Sequence, residues 1–176
     1  MSNLPLPSNQ QNINEADCLG RIVGIGNRFR NDDGVGPGVI DLLKQYNLPS
    51  VKLHEVNDDL TDLIQTWSKD ETVILIDAVQ SGSPVGRIHH LDLLHANQEN
   101  LAMKFSTHSF NPFQIARLAM ELNLLPHSLY LFGIEAADFS YGEKLGPEVQ
   151  ESMKIVVDHI AKKWPDGFLN GDFKIG

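Results

Sequence analysis

The sequence predicts an α/β fold: a single domain with a mostly parallel twisted sheet and helices on both faces. Apolar, strand-like runs alternate with amphipathic helical stretches along most of the chain, which is typical of this class. The run 72–77 is continuously apolar until Asp77, as expected for a strand covered on both faces. The 176 residues suit one domain and contain no internal repeat. We expect that domain at 20–164, with flexible tails at 1–19 and 165–176.

The composition restricts the possible partners and compartments. A formal charge of −9 argues against nucleic acid and anionic membranes as partners. The single cysteine, Cys18, excludes an internal disulfide and a cysteine-rich zinc site. No apolar run reaches transmembrane length, and residues 1–16 lack the pattern of a signal peptide. We therefore expect a cytoplasmic protein with no membrane partner. A monomer is favoured, and the sequence leaves the oligomeric state open.

The first half of the chain is predicted to contain three strands and two helices. A strand at 22–26 leads through a loop to a helix that begins at Pro37. A second strand covers 51–56, and Asn57 is predicted to cap the next helix. A third strand covers 72–77. The predicted buried faces of the two helices are, in order, Val39, Ile40, Leu43 and Tyr46, then Leu60, Leu63, Ile64 and Trp67.

The second half is predicted to add two strands and three helices. An edge strand at 85–91 holds His89 and His90, which point to opposite faces and so cannot bind one ion; we predict that both lie on the surface. A short helix is predicted at 94–103. Further along are a helix starting at Asn111 and Pro112, a strand at 128–134 followed by Glu135, and a helix at 147–163. The predicted buried stripe of the helix after Pro112 is Ile115, Leu118, Ala119 and Leu122.

The loop after the first strand contains adjacent carboxylates, Asp32 and Asp33, among several glycines. It is not a dinucleotide fingerprint, because Phe29 stands where the third glycine is required. It is not a P-loop either, since no Gly-Lys-Ser/Thr follows. A strand-to-helix loop lies at the carboxyl edge of the sheet, where α/β folds bind ligands. The carboxylates are therefore either functional groups or solvated residues of a glycine-rich turn.

Three side chains far apart in the sequence are predicted to meet at this edge. The usual doubly wound order places the first and third strands side by side, which brings Asp33 near Asp77. His108, before a helix, could join them. Two carboxylates and an imidazole form a ligand set for a divalent metal with open positions. The same residues could instead be a loop aspartate, a strand-end cap and a structural histidine. Serine catalysis is not favoured, because the chain has no Gly-x-Ser-x-Gly.

Four motifs, in order, resemble those of the nickel–iron hydrogenase maturation endopeptidases. The first is GIGNRFRNDDGVG at 24–36, and the second is LIDA at 75–78. The third is STH at 106–108, before an amphipathic helix, and the fourth is YLFGIE at 130–135. The resemblance extends over about residues 21–160.

The resemblance implies a protease that removes the C-terminal extension of a hydrogenase large-subunit precursor after nickel insertion. It also implies that the nickel-contacting residues are Asp33, Asp77 and His108, and that the precursor itself carries the nickel. A metal-polarised peptide carbonyl and a metal-activated water would both account for cleavage. The sequence leaves both open.

Two departures from the family pattern, NDDL at 57–60 and SFNP at 109–112, bear on precursor specificity. They also leave room for a non-catalytic, nickel-dependent maturation chaperone. A receiver-like phosphoacceptor domain is a further alternative, because Asp32, Asp33 and Asp77 imitate its acidic residues. Against it, the acidic pair lies six residues beyond Gly26, and Glu135 stands where a receiver has lysine.

Overall fold

The computed structural model describes residues 19–57, 59–95, 104–105 and 111–164. The predicted tails except Leu19, most of the predicted helix 94–103 and His108 lie outside these residues. Within them the chain forms a mixed, mostly parallel six-stranded sheet with helices on both faces, as the sequence predicts. None of the helices in this part of the chain is long and apolar enough to cross a membrane.

Six strands and four helices make up the described fold. The strands are β1 (Gly20–Ile25), β2 (Val51–Val56), β3 (Thr72–Gln80), β4 (Ile88–Asp92), β5 (Lys104–Phe105) and β6 (Ser128–Glu135). The helices are α1 (Val35–Leu43), α2 (Leu63–Thr66), α3 (Pro112–Glu121) and α4 (Pro147–Lys163). A 3₁₀ turn, Asn31–Gly34, leads directly into α1.

The sheet order is β2-β1-β3-β6-β4, with β5 paired to β3 beyond this path. Strands β2, β1, β3 and β6 are parallel to one another, whereas β4 and β5 pair in antiparallel fashion. In the sheet, β2 lies on one side of β1, and β3 lies on the other side. The predicted neighbourhood of the first and third strands is therefore confirmed, and the topological switch point lies between β1 and β3.

The two faces of the sheet carry separate apolar cores. Alternate residues of each strand face opposite sides, so β3 sends Ile74 and Ile76 to one core and Val73 and Leu75 to the other. Helices α1 and α4 cover the first core, and α2 and α3 cover the second. The predicted helix stripes are largely confirmed. The helix residues buried in these cores are Val35, Val39, Ile40, Leu43, Leu63, Ile64, Ile115, Ala116, Ala119, Val149, Val156, Val157 and Ile160.

A buried ion pair at the amino edge of the sheet joins β1 to the segment before β3. The Arg21 Nε donates to Glu71 Oε2 at 3.1 Å, and both side chains are buried. The Arg21 Nη1 lies 3.0 Å from His54 Nε2 on β2. Burial, and then the Arg21 charge, hold the pKa of His54 below its ordinary value. This histidine is therefore a neutral partner of Arg21 at the edge opposite the Asp32–Asp33 turn.

The start of the first helix differs from the prediction. Helix α1 begins at Val35, because the 3₁₀ turn continues into it, and Pro37 occupies the third helical position. A proline is tolerated there because the first turn has no intrahelical acceptor for its N–H groups. The helix ends at Leu43, so Tyr46 lies beyond it and is exposed rather than buried.

The second helix is much shorter than the sequence predicts. Asn57 does not cap it; α2 is a single turn preceded by Asp62, which makes no capping bond with its side chain. The Asp59 Oδ1 instead accepts hydrogen bonds from the backbone N–H and hydroxyl of Thr61 at 2.8 and 2.6 Å. Such a local turn competes with a helix. The predicted apolar stripe Leu60, Leu63, Ile64 and Trp67 is nevertheless buried.

Three smaller predictions are also wrong. Strand β3 does not end on Asp77 but runs to Gln80, because its last residues pair with β5 and β6. Leu122 is exposed, since α3 ends one residue earlier. His89 and His90 are not surface residues, although they do lie on opposite faces of β4. The His90 ring centroid is 5.6 Å from that of Tyr130, and the His89 side chain is only 11% exposed.

Two glycines allow α1 to lie directly on β1. A Cβ atom at Gly24 would come within 2.3 Å of the Gly36 carbonyl oxygen. A Cβ atom at Gly36 would come within 2.2 Å of the Ile25 carbonyl oxygen. Both obstacles are backbone atoms, which cannot rotate away as a side chain does. The close contact therefore depends on glycine at both positions, and it fixes the end of β1 against the start of α1.

We expect Gly24→Ala to lower the free energy of unfolding by ~3 kcal/mol, because α1 must shift off the strand to accommodate the methyl group. Urea denaturation measures this change. The matched control is Gly38→Ala, which also lies in α1. There the new methyl group would come within 2.8 Å of Met153 Sδ, at the end of a flexible side chain that can move away. That variant should be neutral or slightly stabilised. Equal stability of the two variants would contradict the close-contact argument.

Candidate functional site at the carboxyl edge of the sheet

The carboxyl ends of β1, β3 and β6 bring together the 3₁₀ turn, the end of β3 and the loop 136–146 after β6. The 3₁₀ turn packs against both β3 and α1. Two adjacent carboxylates, Asp32 and Asp33, are each 98% buried in this turn, with a relative exposure of 2%. Buried carboxylates require hydrogen bonds or a cation to offset their lost hydration. The partners of each oxygen therefore indicate what each aspartate does.

Asp32 is a structural residue. Its Oδ2 accepts hydrogen bonds from the backbone N–H groups of Ala137 and Asp138 at 3.1 and 2.9 Å. Its Oδ1 accepts from the Gly146 N–H at 2.7 Å. Both oxygens are thus satisfied by the loop after β6. Asp32 therefore holds that loop against the 3₁₀ turn.

Further hydrogen bonds join the same two segments. The backbone N–H of Asn31 donates to the Gly142 carbonyl at 2.9 Å, and the Gly142 N–H donates to the Phe29 carbonyl at 3.0 Å. The Asn31 Nδ2 donates to Asp138 Oδ2 at 2.9 Å, and its Oδ1 accepts from the Lys144 N–H at 3.1 Å. These bonds hold Asn31 at a φ of 46°, in the left-handed region that asparagine tolerates. The edge is consequently built as one connected unit.

Asp33 has a different environment from its neighbour. Its Oδ2 accepts one hydrogen bond, from the Asn27 N–H at 3.1 Å. Its Oδ1 is buried and has no hydrogen-bond partner among the residues that the structure describes. Gly26, with a φ of 128°, allows this approach, because a Cβ atom there would lie 2.0 Å from the Asp33 carbonyl oxygen. Asp33 therefore presents a buried carboxylate oxygen that a cation could satisfy.

Asp77 lies on the neighbouring strand at the same edge. Gly24 of β1 pairs with Ile76 of β3, so Asp77 lies beside Ile25, close to the point where Asp33 packs on the chain. Its side chain is fully buried. Because Asp77 follows Leu75 by two residues on β3, both side chains point to the same face of the sheet, which α3 covers. The structure thus places Asp33, in the 3₁₀ turn after β1, and Asp77, on β3, at one edge of the sheet. The third predicted residue, His108, lies outside the described residues, so the complete trio stays a prediction.

No group of three or more potential metal-binding side chains is found within residues 19–57, 59–95, 104–105 and 111–164. The two carboxylates at the edge are therefore an incomplete ligand set by themselves.

Helix α3 starts at Pro112 on the face to which Asp77 points, and Asn111 caps it through a full capping box with Gln114. The predicted helix start is confirmed.

Glu135 forms a second buried carboxylate cluster that sequence analysis did not identify. Its Oε1 accepts from the backbone N–H groups of Ser81 and Gly82 at 2.7 and 2.9 Å. Its Oε2 accepts from the Ser81 hydroxyl at 2.8 Å and lies 3.0 Å from His89 Nε2. Burial by itself would raise the pKa of Glu135, but these hydrogen bonds together hold it below its ordinary value. Glu135 therefore anchors the turn after β3 as an ionised acceptor.

The Ser81, His89 and Glu135 cluster is not a nucleophilic triad. In such a triad the two ring nitrogens of histidine separately contact the serine and the acid. Here one nitrogen, His89 Nε2, lies 3.4 Å from the Ser81 hydroxyl and 3.0 Å from the Glu135 carboxylate. The Ser81 hydroxyl also donates directly to Glu135. The cluster is therefore structural.

The chain is therefore an α/β protein with a candidate cation-contacting site at the carboxyl edge of its sheet. At this edge Asp32 has a structural role, and Asp33 presents a buried oxygen. The family model described as hydrogenase maturation protease matches residues 35–163. The chain therefore belongs to the hydrogenase maturation protease family, as the motifs indicate. It is homologous to proteases that cleave the C-terminal extension of a hydrogenase large subunit.

Solved structures show the same fold. The [NiFe] hydrogenase maturation protease HybD from Thermococcus kodakarensis has a TM-score of 0.64 at 24% identity, over 81% of this chain and 96% of that one. The hydrogenase 2 maturation peptidase from Thaumarchaeota archaeon SCGC_AB-539-E09 has a TM-score of 0.60 at 27% identity, over 82% and 97%. The hydrogenase maturating endopeptidase HybD from E. coli has a TM-score of 0.65 at 19% identity, over 80% and 88%. No curated protein matches the chain.

The receiver-like alternative is not supported by these findings. The family match assigns the chain to the maturation proteases. The sheet also ends with β4 antiparallel to β6, unlike the doubly wound sheet of receiver domains, in which the strands are parallel. Asp32, which would belong to a receiver's acidic pair, has both oxygens occupied by backbone donors.

The same substitution should destabilise the protein at Asp32 but have little effect on stability at Asp33. In Asp32→Asn the amide nitrogen would face a backbone N–H donor, so we expect a loss of ~3 kcal/mol in the free energy of unfolding. Asp33→Asn keeps an acceptor for the Asn27 N–H and removes a buried charge, so its stability should stay within ~1 kcal/mol of the parent. Urea denaturation at neutral pH compares the two. A larger loss in Asp33→Asn than in Asp32→Asn would overturn the assignment of roles.

Proposed function

We propose that the protein is an endopeptidase that removes the C-terminal extension of a nickel-loaded hydrogenase large-subunit precursor. The observation that carries this proposal is the buried Oδ1 of Asp33, without a hydrogen-bond partner among the described residues, in a chain of this family. A cation close to a buried carboxylate oxygen in this state would offset the loss of its hydration. The nickel carried by the precursor is such a cation, and we treat it as part of the substrate.

Asp33, Asp77 and His108 are the proposed nickel-contacting residues. The two carboxylates lie at one sheet edge, Asp33 in the turn after β1 and Asp77 on the adjacent β3. The histidine precedes the helix on the face to which Asp77 points. Two oxygens and one imidazole nitrogen suit a divalent transition metal and leave positions for ligands from the precursor. With only three donors, the site holds nickel weakly by itself. It therefore distinguishes a loaded precursor from an empty one.

The chemistry requires the nickel, because the described side chains at this edge include no activated nucleophile. A nickel-bound carbonyl becomes more electrophilic, and a nickel-bound water loses a proton more readily. Either route ends with water added across the peptide C–N bond, which gives a new carboxylate on the large subunit and an amine on the released extension. Asp33 and Asp77 hold the metal against the scissile bond. Asp32 keeps the loop after β6 fixed while this occurs.

The partner in this proposal is the hydrogenase large-subunit precursor, and the protein acts as a monomer in the cytoplasm without a nucleic-acid or membrane partner. The acidic composition, with 23 acidic and 14 basic residues, supports the absence of a polyanionic partner. A single cysteine suits a reducing compartment.

Cleavage of the precursor tests the proposal. Purified protein, mixed with the nickel-loaded precursor from the same source, should shorten it by one C-terminal segment and leave the nickel-free precursor intact. Asp33→Asn and Asp77→Asn should each lower the rate by a factor of ~100 or more, as expected when an electrostatic catalytic contact is lost. Mass spectrometry of the precursor reports the cleavage.

The matched control is Asp70→Asn, an exposed aspartate in the turn before β3, at the opposite edge of the sheet. Its rate should equal that of the parent. Equal cleavage of nickel-free and loaded precursor would contradict metal recognition. Stable binding of the loaded precursor without any shortening would instead establish the chaperone alternative.

A further inference from the structure

A cavity of ≈ 360 Å³ opens at the carboxyl edge beside the candidate site. We name it the edge cavity; its lining includes Arg30, Gln80, Lys104, Phe105 and Phe139. The volume falls within the range of ligand pockets, roughly 300–1,000 Å³. Gln80 follows Asp77 by three residues on β3, and Arg30 precedes Asp33 by three residues. The cavity therefore lies at the same edge of the sheet as both candidate nickel-contacting carboxylates.

The charge of the edge cavity is opposite to that of the chain. The whole sequence has a formal charge of −9. Among the described residues that line the cavity, two are cationic, Arg30 and Lys104, and none is acidic. Two like charges in one concave site raise the local concentration of anions. The cavity thus favours an anionic group although the protein as a whole repels one.

The Arg30 side chain is oriented by the loop that Asp32 holds. Its Nε donates to the Phe139 carbonyl at 3.2 Å. Its own backbone carbonyl accepts from the Asp33 N–H at 3.1 Å, which ties it to the 3₁₀ turn. A guanidinium in a fixed orientation binds a carboxylate better than a mobile ammonium, because its planar N–H fork matches the two oxygens. Phe105 and Phe139 add apolar walls beside this cation.

We propose that the edge cavity binds a carboxylate of the precursor's C-terminal extension, with Arg30 and Lys104 as its cationic partners. This inference rests on the proposed function. Any such extension ends in an α-carboxylate, and acidic side chains within it are a second source of the same chemistry. The aromatic walls contact the apolar part of the residue that bears the carboxylate. Binding there holds the extension while the scissile bond lies at Asp33 and Asp77.

Binding of the isolated extension tests the cavity without any need for cleavage. A synthetic peptide with the extension's sequence and a free C-terminus is titrated into the full-length protein by calorimetry. We expect Arg30→Gln and Lys104→Gln each to raise the Kd for the peptide about tenfold, because each loses a charge-assisted hydrogen bond. Arg117→Gln and Lys154→Gln are the matched controls, because both cations are exposed on α3 and α4 and do not line the cavity. They should bind as the parent does.

Two altered peptides identify the source of the carboxylate. One has a C-terminal amide, and the other has its Asp and Glu residues replaced by Asn and Gln. A loss of affinity for the first assigns the cavity to the chain terminus, and a loss for the second assigns it to a side chain. Unchanged affinity for both, or equal affinity of the parent and the cavity variants, would overturn the proposal.

Kinetics on the nickel-loaded precursor separate this inference from the proposed function. The cavity variants should raise KM about tenfold with kcat unchanged, because the carboxylate is held equally in the ground and transition states. Arg30→Lys, which keeps the charge, should recover part of the loss. Cleavage by the cavity variants with an unchanged KM would refute the cavity. Peptide binding that is lost in these variants, without cleavage of the precursor by the parent, would refute the protease but support the cavity.

Discussion

The Asp32 carboxylate is the interaction on which the rest of the edge depends. It accepts three backbone N–H groups, from Ala137, Asp138 and Gly146, and so joins the turn after β1 to the loop after β6. A carboxylate that accepts several backbone N–H groups makes strong, charge-assisted hydrogen bonds. The arrangement fixes the position of the next residue, Asp33, and of Arg30 in the edge cavity. Both proposed binding features are thus consequences of one buried structural group.

The Oδ1 of Asp33 is buried and has no hydrogen-bond partner among the described residues. A buried acceptor without a partner costs ~1–3 kcal/mol, and native proteins contain few. Such groups are concentrated at functional sites, where a ligand provides the missing partner. The neighbouring Glu135 shows the contrasting case, because all of its donors come from the protein, from Ser81, Gly82 and His89. Burial alone therefore does not identify a functional carboxylate.

Much of the fold could be predicted from sequence because its signals are local. The capping residue Asn111 and the apolar run of β3 each specify an element without tertiary information. The short length of helix α2 could not be predicted, because the Asp59 turn that precedes it depends on a side-chain hydrogen bond. The candidate site was only partly accessible. Motif spacing indicated Asp33 and Asp77, whereas the different roles of Asp32 and Asp33 depend on contacts with a loop about 105 residues away.

The central claim, that Asp33 rather than Asp32 meets the nickel, is tested most directly by the paramagnetism of Ni²⁺. Adding Ni²⁺ to ¹⁵N-labelled protein broadens the amide signals of residues close to the bound ion. The account predicts early loss of the signals of Asn27 and Ala78, beside Asp33 and Asp77, and no such loss in Asp33→Asn. Broadening centred on His54 at the opposite edge, or the same loss in the variant, would contradict it.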